Sequence, residues 1–173
     1  MMKRYNDYEN IVYGYLNNYT QFVAKSKNIE LEISLLYDKI EELNDIKTTR
    51  YDKILSSNSG NSSSVEQTLE RKIKIEEQIK GLQADKKQID TLLERINNVM
   101  DFLKEPDKTI VRERFIYSAY WKDISEKVGY SERTCQRIAL EAVEKITRNL
   151  FSKPAYEQGR LNFIFVDNSF FCG

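Results

Sequence analysis

The sequence predicts an all-α fold: a long antiparallel helical hairpin (coiled coil) followed by a small C-terminal helix-turn-helix bundle. Three observations predict it. The 173 residues hold two prolines and six glycines against 31% charged residues, a composition of long solvated helices rather than sheets. Apolar residues recur at alternating spacings of three and four over two long stretches, separated by SSNSGNSSS, Ser56 to Ser64. A lone glycine, Gly129, then divides two short amphipathic runs in WKDISEKVGYSERTCQR, Trp121 to Arg137.

In the first stretch one series runs Tyr8, Tyr15, Phe22, Ile29, Leu36, Leu43. The other runs Tyr5, Val12, Tyr19, Ser26, Ile33, Ile40, Lys47, Ile54. Such a repeat gives a helix one continuous apolar seam. Gly14 and the polar run Lys25 to Asn28 are its weak points, where a bend or break is expected. The serine-rich segment buries no apolar surface and competes with helical hydrogen bonding, so it reads as a loop. After it come Ile75, Leu82, Ile89, Ile96, Leu103 and a second series, Lys72, Ile79, Lys86, Leu93, Met100. A helix from Val65 to Leu103 would be on the order of 60 Å long. Folding the chain about residue 59 sets Ile75 against Leu43, Leu82 against Leu36, Ile89 against Ile29 and Ile96 against Phe22. Pairing of the same seams between subunits fits the pattern equally well. Lys86 on a seam costs stability but specifies register.

Glu105-Pro106-Asp107 closes the second helix, since proline disfavours helical geometry in the residue before it. Three segments result: residues 1–104, the hairpin; 105–152, the helix-turn-helix domain; and 153–173, a tail rich in aromatic residues (LNFIFV, SFF).

Composition excludes several function classes. Lysine plus arginine equals aspartate plus glutamate, 27 each, so any nucleic-acid surface must be a local patch. Histidine is absent, which removes the commonest general base and zinc ligand. Cys135 and Cys172 form neither a disulfide framework nor a metal site, which points to a reducing cytoplasm. No apolar run approaches the roughly 20 residues of a membrane span. The expectation is a non-enzyme with no catalytic residues, metal or cofactor, away from membranes.

Around Gly129 each residue type has a reason. Two helices that cross closely need a small residue four before the turn, here Ser125. The turn needs backbone geometry that glycine adopts without steric cost. Ser131 suits a helix N-cap, and Glu132 follows where the helix dipole favours negative charge. Tyr130 and Cys135 stand at the two positions of a hydrophobic staple. Cys135, Ile138, Ala142, Val143, Ile146 and Leu150 make a buried stripe. Arg133, Gln136 and Arg137, with Glu132 and Thr134 at the edge, make the opposite face. Arginine reads guanine and glutamine reads adenine bidentately, so these five are candidate base-reading residues. Lys122, Ser131, Lys145 and Arg148 are candidate phosphate contacts. Phe115, Tyr117, Tyr120 and Trp121 read as core, with Arg112 and Arg114 exposed. The same face also suits any solvated helix, for cations exceed acids by one between Asp101 and Leu150.

The segment TIVRERFIYSAYWKDISEKVGYSERTCQRIALEAVEKI resembles region 4 of sigma-70-type factors, which reads promoter DNA. The motifs that carry the resemblance are R-x-R-F-I, W-x-x-I, V-G-Y-S, R-T-x-x-R and the trailing A-V helix. It covers residues 107–150. With its coiled-coil half, the chain is also similar to ArpU- and RinA-like late transcription regulators of phages and prophages. The resemblance implies a sigma-region-4-type fold and sequence-specific binding of double-stranded DNA through the helix from Ser131. Transcription regulation in the cytoplasm of a bacterial host follows from it. Nothing resembles sigma region 2, so a conventional sigma factor is not expected. The coiled coil would then form a homodimer or dock on RNA polymerase. Two other readings fit the pattern: a DNA-packaging factor of small-terminase type, and a phage protein that binds RNA polymerase or a host factor without touching DNA.

Overall fold

The computed structural model of the chain describes residues 7–54 and 62–151, and every regular element among them is helical. The helices are α1 (Asp7–Asn17), α2 (Tyr19–Ile54), α3 (Ser62–Asp101), α4 (Asp107–Val111), α5 (Trp121–Val128) and α6 (Glu132–Leu150), with a π-helical turn at Arg112–Ile116. Of the predicted loop, Ser62, Ser63 and Ser64 belong to α3. Its residues 56–61, the tail 153–173 and the seam residue Tyr5 lie outside the described residues.

The first break falls at Asn18, not at Gly14 or Lys25–Asn28. The Asn18 side chain donates to the Gly14 carbonyl at 2.8 Å, and its backbone N–H meets the same oxygen at 3.1 Å. An asparagine amide that competes for a backbone acceptor interrupts a helix more effectively than a glycine within it. Lys25 to Asn28 stay helical because Ser26 is buried on the seam while its neighbours are solvated.

Contacts divide the chain into two compact units. One joins the described residues up to Gln21 with those from Leu93 on; the other is Phe22–Leu92. In the second unit the predicted seam is the core, with Phe22, Ile29, Leu36, Ile79 and Ile89 buried. Ser26 donates to Asp90 Oδ1, Tyr37 accepts from Gln83, and Asn44 accepts from Lys72. Partner numbers on α3 fall as those on α2 rise, so the two helices run in opposite directions there. Lys86 reaches Asp90 at 2.7 Å and Glu30 at 3.7 Å. This polar group interrupts the run of apolar seam residues. A register slip would separate Ser26 from Asp90 and Lys86 from Glu30, while the Lys86–Asp90 pair, one turn apart on α3, would survive it.

In the first unit α6 is the central element, and α1, α4 and α5 all pack on it. Its stripe of Cys135, Ala139, Ala142, Val143, Ile146 and Leu150 is buried. Thr147, also buried on α6, satisfies its hydroxyl on the Val143 carbonyl at 2.8 Å. Tyr8 stacks at a tilt on Phe151, 4.9 Å between centroids, and Tyr13 meets the edge of Phe115 at 5.3 Å. Arg95 donates to the Leu150 carbonyl at 2.8 Å, placing positive charge at the C-terminus of α6, where the dipole favours it. Burial raises the Tyr15 hydroxyl above its ordinary pKa, and the nearby Arg95 opposes that rise.

Two measurements follow from this packing. Ile146 is fully buried, so Ile146→Ala should cost about 2–5 kcal/mol in chemical denaturation. The hydrogen bond from Lys86, then that from Ser26, holds the Asp90 carboxyl below the ordinary carboxylate range. A depressed pKa contributes stability that is complete above the unfolded value, about 3.9, and is lost as pH falls through the folded one. Asp90→Asn should therefore flatten the loss of thermal stability on acidification below about pH 4, followed by circular dichroism.

Candidate nucleic-acid interface

The site starts at the end of α5. Gly129 has φ 74° and ψ 21°, the left-handed conformation, and its N–H bonds the Ser125 carbonyl at 2.9 Å. A Cβ added there would touch nothing within 4 Å, so the need for glycine is conformational rather than steric. Two residues on, Ser131 is extended at φ −67° and ψ 151° and caps α6, its Oγ accepting from the Thr134 N–H at 3.2 Å. Ser131 and Thr134 also share a hydroxyl contact at 2.9 Å. Ile110, Ile124, Cys135 and Ala139 lock the corner from inside, with Trp121, Val128 and Ile138 packed around them. Burial raises the Cys135 thiol above its ordinary pKa, which suits a packing residue rather than a nucleophile.

That packing turns the opposite face of α6 to solvent. Glu132, Arg133, Gln136 and Arg137 are exposed, while Thr134 is half-buried and engaged in the cap. Arg133 and Gln136 make no side-chain hydrogen bond or ion pair among the described residues. Arg137 is held by Glu141 at 2.7 Å. Leu140 is 38% exposed and shares this face one turn further on; the sequence reading passed over it. The i, i+3, i+4, i+7 run Arg133, Gln136, Arg137, Leu140 was the available signal.

The four phosphate candidates divide in the same way. Lys122 is exposed and without an ion pair among the described residues. Ser131 spends its hydroxyl on the cap. Lys145 pairs with Asp107 at 3.1 Å, and Arg148 with Glu144. Lys108 with Asp101 and Lys127 with Glu113 are paired as well. The Lys108 hydrogen bond in turn holds the Asp101 carboxyl below its ordinary pKa.

Several packing expectations need correction. Tyr117 is 64% and Tyr120 77% exposed, not core. Between them Ser118 takes φ 56°, a left-handed kink that non-glycine residues rarely adopt. Tyr120 then precedes α5 in extended geometry, so both rings are left in solvent. Arg114 is half-buried rather than exposed: its guanidinium lies 4.8 Å over the Trp121 ring and donates to the Ala119 carbonyl at 2.9 Å. Tyr130, expected to close over Cys135, is 43% exposed.

No protein-family model, curated protein or solved structure matches this chain. Among the described residues no helix is long and apolar enough to cross a membrane.

The corner makes a quantitative prediction. Gly129→Ala should destabilise the fold by about 1–2 kcal/mol, the cost of a left-handed alanine. Ser131→Ala should cost about 1 kcal/mol for the lost cap. Both are read from denaturant midpoints.

Proposed function

We propose that this chain is a sequence-specific DNA-binding transcription regulator of phage or prophage origin. In this reading α5, Gly129 and α6 are a helix-turn-helix of sigma-region-4 type, and α6 enters the major groove. The paired α2 and α3 form a coiled-coil hairpin that joins subunits or docks on RNA polymerase. The protein is not an enzyme and needs no cofactor. One observation carries the reading. Arg133 and Gln136 project from the first turns of a capped helix, exposed and without a partner among the described residues, whereas Arg137, Lys145 and Arg148 further along α6 are all ion-paired.

The chemistry ranks the candidates. Arg133 and Gln136 meet guanine and adenine edges at no cost in broken contacts. Arg137 must first leave Glu141. Leu140 supplies an apolar contact for a thymine methyl group. Glu132 can accept from a cytosine amine, while Thr134 supports the cap. Lys122 and the Ser131 region meet phosphates directly, and Lys145 and Arg148 do so by exchanging an intramolecular carboxylate for a phosphate. A second reading, capture of RNA polymerase or a host factor without DNA contact, has the exposed rings of Tyr117 and Tyr120 in its favour.

Selection of genomic DNA fragments by the purified protein tests the proposal. Wild type should enrich one motif, and Arg133→Ala or Gln136→Ala should each lose about 1–3 kcal/mol on that motif while retaining weak general binding. Lys122→Ala should weaken binding to all sequences and reduce its salt dependence. A folded wild-type protein that enriches nothing would sink the DNA reading and leave the protein-capture reading.

A further inference from the structure

Arg133 and Arg137 lie one turn apart on the outer face of α6, yet their surroundings differ. Arg133 has no partner among the described residues, whereas Arg137 Nη1 donates to Glu141 Oε1 at 2.7 Å. The Arg137 side chain is 64% and that of Glu141 50% exposed, so the pair faces solvent and opens at little cost. Glu141 has no other ion pair among the described residues. Lys145, one turn beyond it, is held by Asp107 at 3.1 Å, and the neighbouring Glu144 is held by Arg148. Arg137 therefore carries its own carboxylate, fixed to the same helix and present at high local concentration.

We propose that Glu141 determines specificity: it withholds Arg137 from DNA in general and releases it where a guanine lies opposite. The inference rests on the reading of α6 as a major-groove helix and deepens it. Moving Arg137 from Glu141 to a backbone phosphate exchanges one exposed oxyanion for another. The displaced carboxylate is then left beside a polyanion that repels it, so this exchange gains little. A guanine edge presents N7 and O6 in fixed geometry and takes two hydrogen bonds from the guanidinium, where Glu141 takes one. Two bonds for one favour the exchange at a matching base pair only. On other DNA the two side chains stay paired and contribute no net charge. Arg133, with no such carboxylate, contacts whatever DNA is present. Glu141 thus acts through Arg137 as a positioning residue, and it lowers affinity for non-matching DNA more than for the matching site.

The test compares wild type, E141Q, R137A and the double variant on two duplexes of equal length. One carries the motif that the wild type enriches from genomic DNA, and the other a scrambled sequence. Glutamine keeps the helix propensity of glutamate, and circular dichroism checks helical content. E141Q should bind the scrambled duplex roughly threefold tighter or more at low salt. Its slope of log affinity against log salt should steepen by about one, because one further phosphate is neutralised. Affinity for the motif should rise by about twofold at most, the worth of an exposed pair, so selectivity falls. In the R137A background the same change should move neither the salt slope nor the selectivity.

Equal gains on both duplexes, or gains that persist without Arg137, would overturn the proposal. Weaker motif binding by E141Q would do so as well and would make Glu141 a direct base contact. A wild type that reads its motif while E141Q matches it on both duplexes sinks this inference alone. A folded wild type that enriches no motif sinks the underlying DNA reading and this inference with it.

Discussion

The burial of one side of α6 is the constraint on which the first unit depends. Cys135, Ala139, Ala142, Val143, Ile146 and Leu150 face inward, and α1, α4 and α5 are held by them. A helix anchored along one stripe over nineteen residues cannot rotate without exposing that stripe. The orientation of Arg133, Gln136 and Leu140 is thus a by-product of core packing rather than of any contact they make. Such an arrangement leaves the outer residues open to change in sequence while their direction stays constant.

Charge decides what that outer face offers. Lysines and arginines nearly balance acids in this part of the chain, and half of the cations between Asp101 and Leu150 are paired with neighbouring carboxylates. Exposed pairs of this kind add little stability, but they matter for binding, since each must be exchanged before its cation can serve an anionic ligand. The first two turns of α6 combine free donors with the positive end of the helix dipole. Further along, Glu141 and Glu144 bring negative charge to the same face.

The second unit solves a different problem. Two apolar seams of this regularity slide past each other at little cost, because one leucine layer resembles the next. Ser26 with Asp90, and Lys86 with Glu30, interrupt them with polar contacts between the helices that form only in one alignment. The price is some burial energy, and the return is a single register. The raised pKa of Lys86 comes first from its hydrogen bond to Asp90, one turn along α3.

The heptad positions, the glycine stop, the serine cap and most of the buried stripe of α6 were legible in the sequence; within that stripe Ala139 is buried and the expected Ile138 is half-buried. Each depends on residues within a turn or two of one another, and helical periodicity and capping chemistry are local. The exposed face of α6 followed from the same periodicity, down to Arg133 and Gln136. What only the tertiary structure decided involves residues far apart in the chain or backbone states with no local marker. The packing of α1 on α6 joins two helices far apart in the sequence. Asp107 finds Lys145 and Glu113 finds Lys127 because packing brings them together, and this removes cations that the sequence offers equally. Ser118 turns left-handed and carries Tyr117 and Tyr120 into solvent, although aromatic residues in such a segment would by composition alone be placed in a core. Periodicity states which side of a helix is apolar; only the assembled fold states which polar groups on the other side are left without a partner.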